Sequence, residues 1–151
     1  MSAIRPATAA DVPRVWELIK ELAEFEKLTH TVTGTEAQLR ESLFGASPVC
    51  QCRVIEVDDQ VVGYAITFTT YSTFRTLRGL WLEDLYVTPA HRGTGLGKAL
   101  LHSVIEDGRS QGVGRIEWSV LDWNTSAIEF YERMGAQVLP DWRFSRVSLG
   151  I

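Results

Sequence analysis

The residue types that could do chemistry concentrate between Leu82 and Lys98, where the chain reads LEDLYVTPAHRGTGLGK. A glycine-rich loop that opens a helix presents unpaired backbone N–H groups and the positive end of the helix dipole, which together suit a phosphate. The stretch Arg92 to Lys98 is therefore expected to bind an anion, the other reading being a glycine-rich turn with no ligand. Two common phosphate loops are excluded by spacing. A P-loop ending at Gly97-Lys98 would need Gly where Arg92 stands and Ser or Thr where Ala99 stands, and a dinucleotide fingerprint from Gly93 would need Gly at Lys98. What remains is Arg-x-x-Gly-x-Gly, formed by Arg92, Gly95 and Gly97. Metal chemistry finds no support: His91 and His102 lack partners at ligand spacing, and His30 stands in a threonine-rich loop. Cys50 and Cys52 would point to one side of a strand, which suits packing better than a strained disulfide.

The elements that must position this loop can be read around it. Ile4 to Pro6 is a short strand, and Thr8 with Asp11 forms a capping box for a helix. That helix runs to about Phe25, with Val12, Val15, Trp16, Ile19, Leu22 and Ala23 on one apolar face. Thr35 with Gln38 starts a second helix through Leu43. Cys50 to Val57 and Val61 to Tyr71 flank the Asp58-Asp59-Gln60 turn as a hairpin, and Gly79 to Val87 is a third long strand. Gly95 to Gln111 is helical, stopped by Gly112. A strand over Arg115 to Val120, a helix over Thr125 to Met134 ended by Gly135, and a last strand over Arg143 to Leu149 complete an α+β order. No repeat or linker divides the chain, so residues 1–151 read as a single domain.

These residues resemble the GNAT superfamily of N-acetyltransferases, whose pyrophosphate motif is Gln or Arg, two residues, Gly, one residue, Gly or Ala. Asp122-Trp123-Asn124, Ala127-Ile128, Phe130-Tyr131 and Gly135-Ala136 are similar to the family's acetyl-CoA and general-acid segment. Within the superfamily the resemblance is closest to the spermidine/spermine (diamine) N-acetyltransferases and their bacterial thialysine-type relatives. It is carried by residues 4–11 (IRPATAAD), residues 18–23 (LIKELA), Leu82-Glu83-Asp84 and Asp141-Trp142-Arg143. The resemblance implies a GNAT-type acyl-CoA N-acyltransferase fold, a central mixed but mostly antiparallel sheet flanked by helices, with one splayed strand pair. Acetyl-CoA would lie in the splay, leaving as coenzyme A. Its pantetheine arm would pair with the backbone of Leu85, Tyr86 and Val87 as an added strand does. Its pyrophosphate would meet Arg92, Gly93, Thr94, Gly95, Leu96, Gly97 and Lys98, with Asn124, Ala127 and Tyr131 also in the cofactor site.

The same resemblance assigns the catalytic and acceptor residues. An alkyl ammonium has a pKa of about 10.4, so a proton must leave before the amine can attack. Glu83 is placed to take it through water, a backbone N–H near Leu85 or Tyr86 to stabilise the oxyanion, and Tyr131 to protonate the departing thiolate. Glu26, Asp84 and Asp122 match an acidic lining that holds the distal ammonium, with Phe25 and Trp142 framing the alkyl chain by cation–π contact and Glu83 adjoining it. One departure is Thr73-Phe74-Arg75-Thr76-Leu77-Arg78, whose two arginines would repel a polyamine if they lined the site.

Composition bounds the alternatives. With 151 residues, 45% hydrophobic and 23% charged, the chain has the size and mixture of one soluble globular domain. Net charge of −4 has the wrong sign for a generic nucleic-acid binder. The acidic excess lies wholly in residues 1–60, which hold ten acids and six bases. The longest uncharged stretch, Gln60 to Phe74, is too short to span a bilayer as a helix. No secretory signal opens the chain and cysteines are few, which points to a cytoplasmic setting. The expected protein is an acetyl-CoA-dependent N-acetyltransferase of a small diamine, polyamine, or thialysine- or lysine-like amino acid, acting by direct transfer with no metal, and a homodimer by resemblance. The rival readings are a protein or peptide N-acetyltransferase and a non-catalytic acyl-CoA-binding module.

Overall fold

A computed structural model describes residues 1–151, which fall into two compact units, Met1–Trp118 and Ser119–Ile151. The first unit carries a five-stranded sheet in sequential order: β1 (Ser2–Pro6), β2 (Gln51–Val57), β3 (Gln60–Ser72), β4 (Leu77–Val87) and β5 (Ile116–Glu117). Neighbours from β1 to β4 are antiparallel, and β4 with β5 is parallel. The β2–β3 turn is two residues, Asp58 and Asp59, both at positive φ. That conformation matches the twist of a tight hairpin and is one that aspartate tolerates.

Alternation along β2 and β3 sorts side chains to the two faces. Cys52 and Val54 of β2, Tyr64 and Ile66 of β3 and Tyr86 of β4 form one core cluster with Val15 and Leu18 of helix α1 (Val12–Phe25) and Leu43 of helix α2 (Glu36–Phe44). Both expected capping boxes form: Thr35 Oγ1 accepts from the Gln38 N–H, and the Thr8 N–H donates to Asp11 Oδ2 at 2.7 Å. Arg5 adds two bonds to the Asp11 carboxylate and holds it down to about 2. Arg53, alternating with Cys52 and Val54, donates to Ser103 Oγ of helix α3 (Leu96–Gln111) at 2.7 Å, which puts α3 on the opposite face. There Leu100, Leu101 and Val104 are buried.

The second unit contains helix α4 (Thr125–Arg133), stopped by Gly135 at positive φ. Two sequence expectations are corrected. The strand expected over Arg115 to Val120 is two residues long, because β4 offers it partners only at Leu80 and Trp81. The last strand expected over Arg143 to Leu149 is absent: the segment has no ladder partner within the chain, and alternation without pairing makes no strand. No helix is long and apolar enough to cross a membrane.

Candidate active site

The fourth strand holds the first feature that the sequence did not announce. In the β3–β4 ladder Ile66 faces Asp84 and Thr67 faces Leu82, so Glu83 is an extra residue with no partner, a β-bulge. Partners across a ladder share a face, so the bulge puts Asp84 on the face of Ile66 and leaves Leu82 on the other. Without it, Leu82 and Asp84, two residues apart, would point the same way. The extra residue thus turns one carboxylate toward α1 and exposes another at the bulge itself.

Asp84 Oδ2 accepts its one hydrogen bond from the Tyr64 hydroxyl, at 3.0 Å, and Tyr64 is wholly buried. Burial pushes the Asp84 carboxyl up to about 6; the Tyr64 bond pulls the other way, and the charges of Glu83 and Glu26 add to the rise. Burial also raises the Glu26 carboxyl, at the end of α1, and the Cys50 thiol, the latter helped by Asp84 and Glu83. Glu83 and Glu26 are therefore each within electrostatic reach of Asp84. Glu83 is exposed and accepts from Trp81 Nε1 at 3.1 Å, and the Trp81 ring lies 6.4 Å from that of Phe68. Tyr64, Trp81 and Phe68 are additions that sequence reasoning missed. The available signal was a phenol among the core-facing residues of a strand without formal charges.

β4 also has an open edge. The Thr88 N–H donates to the Val62 carbonyl at 2.9 Å, so that rung is hydrogen-bonded. Alternation then makes Val87 and Leu85 the residues whose backbone groups turn away from β3, and β5 has already stopped pairing at Trp81. The Val87 carbonyl is taken by Arg92 Nε at 2.9 Å, while the N–H groups of Leu85 and Val87 have no partner in the chain. Tyr86, expected to share this free edge, turns its backbone toward β3, where its carbonyl stands 2.6 Å from the position a Cβ on Gly63 would take.

Beyond β4 the chain makes a 3-10 turn, Pro89–His91, and enters the glycine loop. Gly93 and Gly95 both have positive φ, and a Cβ at either would meet nothing within 4 Å, so conformation rather than space demands glycine. The first helical bond of α3 is Ala99 N–H to the Gly95 carbonyl. The N–H groups from Gly93 through Lys98 have no acceptor in the chain, the donor set an anion requires. Arg92 is fixed at the loop's base, its guanidinium 4.9 Å from the Phe25 ring centroid and 5.3 Å from that of Tyr86. The cation over Phe25 is thus the chain's own.

In the second unit Asn124 caps α4, its Oδ1 accepting from the Ala127 N–H at 3.3 Å, and it is 8% exposed. Tyr131 lies one helical residue beyond Phe130, ring against edge at 5.4 Å. Asp122 is exposed, as is Trp142. Arg75 and Arg78, suspected of repelling a cation, bond instead to the carbonyls of Gly114 and Gln111 at 3.1 and 2.9 Å, compensating the negative C-terminal end of α3. Arg78 is five strand residues from Glu83, roughly 16 Å along β4.

A model of the Acetyltransferase (GNAT) family matches residues 15–136. A thialysine N-epsilon-acetyltransferase of Mus musculus is 39% identical, the match covering 91% of this chain and 85% of the relative. An L-ornithine N5-acetyltransferase of Arabidopsis thaliana is 33% identical, with 97% and 84% covered. A spermidine/spermine N(1)-acetyltransferase-like protein of Homo sapiens is 34% identical over 97% of this chain and 23% of that longer protein. Among solved structures, an integron cassette protein from the mobile metagenome of V. cholerae superposes with a TM-score of 0.80 at 19% identity, covering 99% of this chain and 93% of the other. That likeness speaks for the fold.

Proposed function

From the premise that the chain belongs to the GNAT acetyltransferase family and is an N-acetyltransferase, we propose that its acceptor is a small amine bearing a second cationic group. Thialysine, ornithine and spermidine each carry more than one amine, and the proteins named for them are the relatives just described. The observation that carries the reading is the half-buried Asp84 carboxylate at the β4 bulge, desolvated by its surroundings and within reach of the charges of Glu83 and Glu26. A carboxylate kept in a site that penalises its charge is stabilised by an arriving cation, so the ligand completes what the fold leaves costly. The match over residues 15–136 crosses both units, which supports treating residues 1–151 as one acetyltransferase domain.

Acetyl-CoA, the acyl donor of this family, supplies an activated thioester carbonyl when bound. The unpaired N–H groups of Gly93 to Lys98 fit its pyrophosphate, with Arg92 contributing charge from the loop's base, and the free N–H groups of Leu85 and Val87 fit its amide-bearing arm. In the proposed mechanism the Leu85 N–H would donate to the thioester carbonyl oxygen of the bound donor. Glu83, exposed at the bulge, takes the proton from the acceptor ammonium through water. Tyr131 would supply the proton taken up by the thiolate that is released when the amine nitrogen bonds to the acyl carbon, and Asn124 and Ala127 would help to hold the donor. Asp84 and Glu26 hold the second cation, with Phe25 along the alkyl chain; Asp122 and Trp142 are assigned to the acceptor by the family resemblance alone.

A thiol-release assay with acetyl-CoA over matched pairs, 1,3-diaminopropane against propylamine and ornithine against norvaline, tests the acceptor class. Preference for the dicationic member is expected. Equal use of both members, or a peptide outperforming both, overturns the reading. We also propose a homodimer in a cytoplasmic setting. Support for the dimer comes from the exposed Val138, Leu139, Trp142, Phe144, Val147 and Leu149, apolar surface that a second copy would cover. Light scattering at the mass of one chain would remove it. The two free cysteines support a reducing compartment.

A further inference from the structure

Tyr64 stands outside every role assigned so far, yet it is the largest wholly buried side chain of the core and its hydroxyl is the one hydrogen-bond donor to Asp84. We propose that Tyr64 is a positioning residue for acceptor selectivity: its hydroxyl fixes the Asp84 carboxylate through Oδ2 and leaves Oδ1 for the second cation of the acceptor. The inference rests on the acceptor reading above.

The geometry supports it in three steps. Tyr64 and Asp84 come from different strands, and only the bulge at Glu83 brings Asp84 to the face Tyr64 occupies. The phenol ring is held in the core cluster with Val15, Leu18 and Val54 and lies 6.4 Å from the Tyr86 ring, so the hydroxyl has a fixed origin. The Asp84 carboxylate, by contrast, has no other donor, and its neighbours Glu83 on β4 and Glu26 at the end of α1 both repel it. A carboxylate with one anchor and two like charges takes its orientation from the anchor. The remaining groups facing this pair are the thiols of Cys50 and Cys52, which burial keeps protonated at neutral pH. The charges acting on Asp84 are those of two other acids, so the acceptor's second ammonium is the natural counterion.

The test is steady-state kinetics of Tyr64→Phe, which retains the ring and deletes the hydroxyl. KM for 1,3-diaminopropane should rise about tenfold or more, the loss of one hydrogen bond to a charged group, and this rise should exceed any change in kcat or in KM for propylamine. The acid limb of kcat/KM for the diamine should move to higher pH, because the hydroxyl favours the ionised carboxylate. In an Asp84→Asn background the Tyr64→Phe change should add nothing for the diamine, since one residue acts through the other. Asp84→Glu provides a second variant with the core tyrosine intact. It retains charge but shifts the carboxylate by a methylene, so it should lose selectivity. Wild-type diamine KM in either Tyr64→Phe or Asp84→Glu overturns the positioning role. If the wild-type protein itself fails to prefer the diamine, the acceptor reading is what has failed.

Discussion

Replacing Asp84 by asparagine should make the ligand-free protein more stable at neutral pH while impairing its use of dicationic acceptors. The carboxyl stands at about 6 in the folded chain against an ordinary 3.8. The folded state thus binds this proton more tightly than the unfolded state, and the group's contribution to stability is fully present below about pH 4. It falls as pH rises through the window between those values and is constant above it. At about 1.4 kcal/mol per tenfold change in proton affinity, the loss is roughly 2–3 kcal/mol. Asparagine carries no charge to desolvate and still offers an oxygen to the Tyr64 hydroxyl. The expected gain at pH 7.5 is therefore about 2–3 kcal/mol, or about 5–10 °C in Tm for a chain of this size. Near pH 4 the gain should vanish. Calorimetric melting of both proteins at pH 4, 5, 6 and 7.5 reads this directly. Part of the slope should survive in the variant, because burial raises Glu26 as well. An Asp84→Asn protein less stable than wild type at pH 7.5, or one whose gain is independent of pH, refutes the argument that burial of this charge is uncompensated without acceptor.

Three further outcomes are expected. Glu83→Gln should slow turnover most at neutral pH and recover toward the amine pKa, and Tyr131→Phe should lower kcat by about a hundredfold with acetyl-CoA affinity retained; wild-type kcat in both, from neutral to alkaline pH, removes the two proton roles. Gly95→Ala forces a side chain into left-handed backbone at a strain of about 1–2 kcal/mol, and calorimetry should show acetyl-CoA binding weakened about 5- to 30-fold; unchanged affinity places the phosphates elsewhere. Arg78→Ala removes a bond to the Gln111 carbonyl and should cost about 0.5–1.5 kcal/mol in urea unfolding while diamine KM stays constant; a fall in KM would mean that this arginine does repel the acceptor.

Much of the fold was legible because its signals are local. Capping boxes at Thr8 and Thr35, the turn at Asp58-Asp59 and the glycine loop after a strand each depend on neighbours within a few residues, and all formed. What escaped depends on register between distant segments. The bulge at Glu83 exists only because β3 and β4 slip by one residue at Ile66/Thr67, and the Tyr64–Asp84 bond follows from that slip. Arg75 and Arg78 read as free charges in sequence, since the helix end they compensate lies more than thirty residues onward. The strand expected over Arg143 to Leu149 failed for the converse reason, a local alternation with no partner to pair.

The short contact between β4 and β5 has a practical side. After Trp81 the outer edge of β4 runs on without a strand beside it, and the Leu85 and Val87 N–H groups stay unpaired. An uncovered edge is a template that any extended chain can join, including the same segment of another molecule, which is how sheet proteins begin to aggregate. A ligand that occupies that edge is then a protective plug as well as a reactant. Purification and storage with coenzyme A present should preserve the protein in a way that added salt or glycerol, which leave the edge bare, does not.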